Sequence, residues 1–359
     1  MKTLTKQMIK SLSFKRPHGS ESERKYIDTI ILPVVKEYAD EYFIDGFGNI
    51  FARVGQSRTL FTSHTDTVHN KEGTQKVIAK DGLMSVVDGE CLGADDGAGI
   101  QVLLSMMQAG VNAFYGMYRC EERGGQGSKW SVENNPEFYT QFDRAIAFDR
   151  KGTSSVITHQ GWGRCCSDVF ADALSDALSG DELMYAPDDT GVYTDTAEFI
   201  DSIPECTNIS VGYMNEHRPN ETLDLAHLDA LIRKVKSIDW ESLPTDRDPS
   251  LPDPDDLYDP HYYKWDAKYD DGYTHYNVQV FDACVEAIGG DTDELLYHIA
   301  CVVNPAEPDE MYALIWDMPL PMDSLNQCRK DVDFAVNDGA VEQALYDLYQ
   351  DAIAVNTYH

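Results

Sequence analysis

Positive charge is what this sequence has least of. Twenty-nine lysines and arginines stand against 62 aspartates and glutamates, a formal charge of −33 over 359 residues. Nucleic acids and anionic membranes are held largely by basic side chains that neutralise phosphates, so neither is an expected partner. No stretch approaches the ~18 to 20 uninterrupted apolar residues of a membrane-spanning helix. The opening residues Met1–Met8 carry positive charge but no apolar stretch of the kind a secretory leader has. The eight cysteines (Cys91, Cys120, Cys165, Cys166, Cys206, Cys284, Cys301 and Cys328) form neither a CxxC pair nor a dense framework. A reduced, cytoplasmic protein is the expectation.

What is present is enough for a sizeable core. Apolar residues make up 42% of the chain, which excludes wholesale disorder. The length suits one large α/β domain with a smaller appendage. Acidity is uneven: residues 241–359 hold 26 acidic and 5 basic side chains, residues 1–240 hold 36 and 24. The shift marks a boundary. Residues 1–240 form the expected main domain. Residues 241–276 interleave Pro244, Pro249, Pro252, Pro254 and Pro260 with aspartates and read as a linker or strap. Residues 277–359 have helical spacing and no chemical motif, so a small, mainly helical module is expected there. There is no internal repeat.

Within residues 1–240, strand-like and helix-like segments alternate. Short apolar runs at 59–63, 113–118, 144–148 and 207–211 have strand length and β-branched or aromatic content. Helical patterns lie between them at 99–107, 166–178 and 225–238, and Ser20 reads as the cap of an amphipathic helix. This order predicts an α/β fold: a mostly parallel mixed sheet with helices on both faces. Chemistry in such sheets collects at the carboxyl ends of the strands.

Five places put metal-ligand side chains at those ends or in the adjoining turns. An apolar strand delivers His64, and Asp66 two residues on lies on the same side of an extended chain, where it can fix the imidazole tautomer. Asp95 and Asp96 open a helix between glycines. Adjacent carboxylates repel there unless a cation or the helix terminus offsets them. A strand stops at Glu121-Glu122 before a glycine-rich turn, another on Asp149, and a third leads through Tyr213 to His217. Singly, each has an ordinary explanation: an acidic N-cap, a solvated glutamate pair, a turn acid, a surface histidine. Their conjunction in order does not.

That order, with the segments Ser63-His-Thr-Asp-Thr-Val, Leu92-Gly-Ala-Asp-Asp-Gly-Ala-Gly and Glu121-Glu-Arg-Gly-Gly-Gln-Gly, resembles the co-catalytic di-zinc exopeptidases, the group of peptidase T and the leucyl-type aminopeptidases. The resemblance spans roughly residues 20–240. It implies that Asp95 bridges two zinc ions (Co²⁺ or Mn²⁺ being replacements), with His64 and Asp149 completing one site and Glu122 and His217 the other. It also implies that Asp66 orients His64, that Glu121 is the general base, and that the Asp95–Asp96 bond is cis. In that mechanism Tyr213 is a candidate oxyanion donor. Cys120 and Ser63 sit nearby without an arranged base, so neither is expected to be a nucleophile.

Ligand spacings of 31, 27, 27 and 68 residues leave no room for an inserted lid domain, unlike peptidase T. The expected substrate is a peptide or an N-acyl amino acid. An aminopeptidase is the preferred reading, with Asp188, Asp189 or Asp195 as contacts for an α-amine. A carboxypeptidase or deacylase is the alternative, with Arg150 or Arg218 for a carboxylate. A catalytically silent binding or scaffold protein is the third reading. The sequence carries no signature of an oligomeric state.

Overall fold

Successive side chains of the central strands divide between two apolar cores. In the strand Ile50–Val54, Ile50, Ala52 and Val54 enter one cluster and Phe51 the other; Phe61 and Leu60 divide in the same way in Thr59–His64, as do Ile146 and Ala145 in Arg144–Arg150. Strands buried on both faces must lie between two layers. The structure, a computed structural model, describes residues 2–160 and 163–251. The helical module expected over 277–359, and most of the linker expected over 241–276, lie outside the described residues.

The main sheet has eight strands in the order Ala186–Asp188, Ser155–Ile157, Glu205–Ser210, Arg144–Arg150, Thr59–His64, Ala113–Tyr118, Ile50–Val54, Glu41–Ile44. Its four central strands, from Glu205–Ser210 to Ala113–Tyr118, run parallel. Antiparallel pairings flank them on both sides, so the sheet is mixed. The hairpin between Glu41–Ile44 and Ile50–Val54 has a local cause: Asp45 Oδ1 accepts the amides of Phe47, Gly48 and Asn49 and closes the turn.

Helix Ala94–Gln108 packs on the two central strands Thr59–His64 and Arg144–Arg150, with Lys2–Leu12, Leu32–Tyr38 and Leu225–Val235 around it. The opposite face is covered by Gln126–Asn134 and the turn Asp195–Phe199, around an aromatic cluster of Phe51, Tyr118, Tyr139 and Phe199. Side-chain caps set several helix starts. Ser20 accepts the Glu23 amide, as its position suggested, and Ser167 accepts that of Phe170, so the helix expected from Cys166 begins at Asp168.

A second, antiparallel sheet was not foreseen. It orders Tyr213–Met214, Thr222–Asp224, Leu83–Val86 and Val77–Lys80. Strands of two to four residues leave little trace in hydrophobic patterning. Their effect is to tie the segment around His217 to the stretch between His64 and Asp95. The five cysteines among the described residues are free and buried. No helix among the described residues is long and apolar enough to cross a membrane.

Candidate metal centre

The four central parallel strands end side by side and pass their next residues into one small volume. Thr59–His64 ends on His64, and Arg144–Arg150 carries Asp149 next to its end. Ala113–Tyr118 is followed, after Arg119 and Cys120, by the tight turn Glu121–Arg123, and Glu205–Ser210 leads to Tyr213 and His217. Asp95 comes from the first turn of Ala94–Gln108, which lies against the His64 and Asp149 strands. Two of these turns rest on strained backbone. Cys120 (φ 65°) and His217 (φ 63°) are left-handed without being glycine, a conformation costing roughly 1–2 kcal/mol.

One carboxylate spans both imidazoles. Asp95 Oδ1 lies 3.0 Å from His64 Nε2, and Oδ2 lies 3.0 Å from His217 Nε2. Around His64, Asp149 Oδ1 stands at 3.5 Å and Glu121 Oε2 at 3.8 Å. Glu122 Oε2 stands 2.9 Å from His217. The consecutive glutamates therefore diverge, one toward each histidine. Asp66 lies behind the His64 ring, but its carbonyl, 3.1 Å from Nδ1, is closer than its Oδ1 at 3.6 Å. That carboxylate also accepts the Glu121 amide at 3.1 Å, so it fixes the backbone of Glu121 as well.

Two groups of side chains could each hold a cation: His64, Asp95 and Glu122, and His64, Asp96 and Asp149. Hydrogen bonding separates the two adjacent aspartates, whose shared peptide bond is cis. Asp96 Oδ1 accepts the Gly99 amide at 2.9 Å, and its Oδ2 accepts the Ser63 hydroxyl and the His64 amide. Asp96 is thus a buried support, and Asp95 is the carboxylate facing both imidazoles. The support explains Gly99. A Cβ there would sit 2.0 Å from the Phe148 carbonyl oxygen and 2.5 Å from Asp96 Oδ1. Gly99→Ala is therefore expected to destabilise the fold by about 3 kcal/mol or more, measured by denaturant unfolding. Unchanged stability would mean that the helix can move off the strand at no cost.

The residues gathered here fit metal ions. Imidazole and carboxylate donors suit zinc, cobalt or manganese, and Glu122 Oε1 is buried without a hydrogen-bond partner, a costly arrangement that a cation would relieve. The electrostatics agree. Burial, reinforced by Asp149, Asp195 and Glu122, drives the Glu121 carboxyl well above the usual range. Burial and the neighbouring Asp95 push Glu122 up to about 7. Hydrogen bonds that the imidazole donates to Asp95 and Glu122 push His217 up to about 10. Burial opposes a charge on His64, yet Asp149, Asp66 and Asp95 outweigh it and hold that imidazole well above its ordinary value. Clusters that draw protons so strongly draw cations for the same reason.

Tyr213 is engaged differently from its sequence reading. Its hydroxyl donates to the Asp149 carbonyl at 3.0 Å and lies 3.3 Å from Oδ1. A hydroxyl has one proton to give, and here it goes to Asp149 rather than toward a substrate oxygen. Three supports escaped sequence reasoning. Thr194 donates to Asp149 Oδ2 at 2.7 Å. Arg16, fully buried, donates to the carbonyls of Thr65 and Gly93 and so links the loops of His64 and Asp95. Glu221 accepts the amides leading to Asp95.

Asp95, Glu121, Glu122, Asp149 and His217 line a cavity of about 350 Å³, whose wall also includes Arg150, Lys151, Gln160, Val192 and Tyr193. Of the residues expected to bind a charged substrate end, Arg150 is there, donating to the Thr190 carbonyl and hydroxyl at 3.0 Å. Asp188 is occupied by Ser155 and Thr190, Asp195 is buried, Asp189 and Arg218 are exposed, and none of these four lines the cavity. Burial raises the Cys120 thiol to about 11, and Ser63 is bonded to Asp96, so neither is set up as a nucleophile.

Solved structures share this fold. Aminopeptidase PepT from Bacillus cereus aligns with a TM-score of 0.54 at 14% identity, over 66% of this chain and 96% of its own. A tripeptidase from Staphylococcus aureus aligns at 0.52 and 14% identity, over 66% and 96%. An aminopeptidase from the archaeon Desulfurococcus kamchatkensis aligns at 0.50 and 15%, over 69% and 96%. No family model matches the sequence, and no curated protein does. The chain has the mixed α/β fold of these peptidases. At such identities the likeness is one of fold.

Proposed function

We propose that this chain is a dinuclear zinc exopeptidase that hydrolyses peptide bonds, with Glu121 as general base. The observation that carries the reading is Asp95, whose two oxygens each lie 3.0 Å from a different histidine. His64 and Asp149 would complete one ion's protein ligands, and Glu122 and His217 the other's. Ions held there supply water activation and carbonyl polarisation. The chain's own residues do the rest. Glu121, near His64 and tied at its amide to Asp66, takes a proton on its carboxylate from the attacking water and hands it to the leaving amine. Asp66 holds the His64 ring, while Thr194 and Tyr213 hold Asp149.

Aminopeptidase action is the preferred form, supported by the shared fold. One observation favours the carboxylate-directed alternative: the cations Arg150 and Lys151 line the cavity, and the only lining acid among the described residues outside the proposed ligands and base, Glu216, is paired with Lys151 at 2.6 Å. Zinc-reconstituted, desalted protein is expected to retain about two zinc ions per chain, to cleave peptides, and to lose activity on chelation. Amino-acid anilides and N-acyl amino acids, assayed side by side, assign the free end. Protein that binds no metal, or that binds two ions and cleaves neither class, contradicts the reading.

A further inference from the structure

Four consecutive backbone amides converge on a single side chain that the chemistry does not use. Leu92 and Gly93 donate to Glu221 Oε2 at 2.8 and 3.0 Å, and Ala94 and Asp95 donate to Oε1 at 2.8 and 3.1 Å. Glu221 is fully buried, and its partners here are backbone amides rather than a basic side chain. These amides belong to the stretch that leads into the helix proper, where Asp95 (ψ 106°) and Asp96 (φ −112°, ψ 44°) are not yet helical, and buried amides outside regular structure need an acceptor from elsewhere. The helix proper has its own local cap, Asp96 Oδ1 on the Gly99 amide, which leaves the stretch before it without one, and Gly93, left-handed at φ 72°, has no side chain to offer. The acceptor arrives instead from 126 to 129 residues away.

What lies on either side of this contact gives it a role. One end of the held segment is Asp95, the carboxylate that faces both histidines. Four residues before Glu221 in the chain is His217. The Glu221 amide donates to the Arg218 carbonyl at 3.0 Å, closing the turn that directly follows that histidine. Immediately after Glu221 comes Thr222–Asp224, anchored in the small sheet against Leu83–Val86. One rigidly based carboxylate thus joins the segment that supplies Asp95 to the segment that supplies His217. Neither His64 nor Asp149 depends on it in this way: both stand on strands of the main sheet.

From this geometry we infer that Glu221 is a positioning residue for the metal site formed by Asp95, Glu122 and His217, acting through the backbone of Leu92–Asp95. The inference rests on the dinuclear reading above. The carboxylate is required, not merely its shape, because Gln offers one oxygen and turns an amide group toward donors that already point at it.

The test is the metal affinity of Glu221→Gln in the full chain, measured by zinc competition with a chromophoric chelator, with the cobalt-substituted visible spectrum recorded alongside. The site of Glu122 and His217 is expected to weaken by about 10- to 100-fold, the site of His64 and Asp149, which shares only Asp95 with it, by less, and Glu221→Asp is expected to recover part of the loss. A general loss of structure would weaken both sites together. Should Glu221→Gln fail to fold, hydrogen exchange on the unmodified, metal-free protein decides: the amides of residues 92–95 are expected to be protected, and free exchange there overturns the inference. Equal affinities in Glu221→Gln and the parent, with two ions bound in each, overturn the role of Glu221 alone. A parent protein that retains no zinc overturns both this inference and the dinuclear reading.

Discussion

Glu121→Gln protein is expected to retain about two zinc ions and to lose activity by about 10²- to 10⁴-fold, the usual contribution of a positioned acid–base group. Gln keeps the volume and the amide bond to Asp66 but cannot accept a proton. The loss should fall on kcat rather than on KM, because the base acts in the transition state. Glu121 sits 3.8 Å from His64 Nε2, further than the 3.0 Å of Asp95, a separation that suits a group working beside a ligand set. Its raised carboxyl follows from burial among Asp149, Asp195 and Glu122, and bound cations reverse that balance. Activity that survives the substitution would remove Glu121 from the mechanism. A parent protein with two ions and no turnover on any peptide or N-acyl substrate would instead point to a silent binding protein.

The parts of the site that were legible in the sequence are those written as local pattern. An apolar run that stops on His64 or Asp149 announces a strand delivering a polar group at its carboxyl end. Two glutamates before glycines announce a turn. Asp95 and Asp96 could not be told apart by pattern alone, since both are buried at the start of one helix. Only the bonds from Ser63, His64 and Gly99 mark Asp96 as the support.

Less visible were residues whose partners are backbone groups far away in the chain. Arg16 reaches Thr65 and Gly93, 49 and 77 residues on, and neither contact leaves a periodicity or a motif. Glu41–Ile44 was missed for another reason: all four side chains are exposed, so the strand has no inside–outside alternation to read. The central strands, buried on both faces, gave continuous apolar runs and were read within a few residues of their limits.

Asp95→Ala is expected to reduce retained zinc from about two ions per chain to fewer than one, whereas His217→Ala should remove only one. The asymmetry follows from geometry: Asp95 meets both histidines, and His217 meets Asp95 and Glu122 but not His64's partner Asp149. The pH dependence of binding to the parent chain should share this origin. Burial opposes ionisation of Asp95, but hydrogen bonds from His217 and His64 keep it a carboxylate, while burial and Asp95 together push Glu122 up to about 7 and Asp95 with Glu122 pushes His217 up to about 10. A metal ion must displace the protons on Glu122 and His217, so zinc affinity should climb as pH rises through 7, with protons released on binding. Removing Asp95 takes away a principal cause of both elevations, so in Asp95→Ala the Glu122 and His217 protons should leave at lower pH. Calorimetry in buffers of different ionisation enthalpy counts the released protons directly. Release that is the same for Asp95→Ala and the parent chain would mean that Asp95 does not couple the two halves of the site.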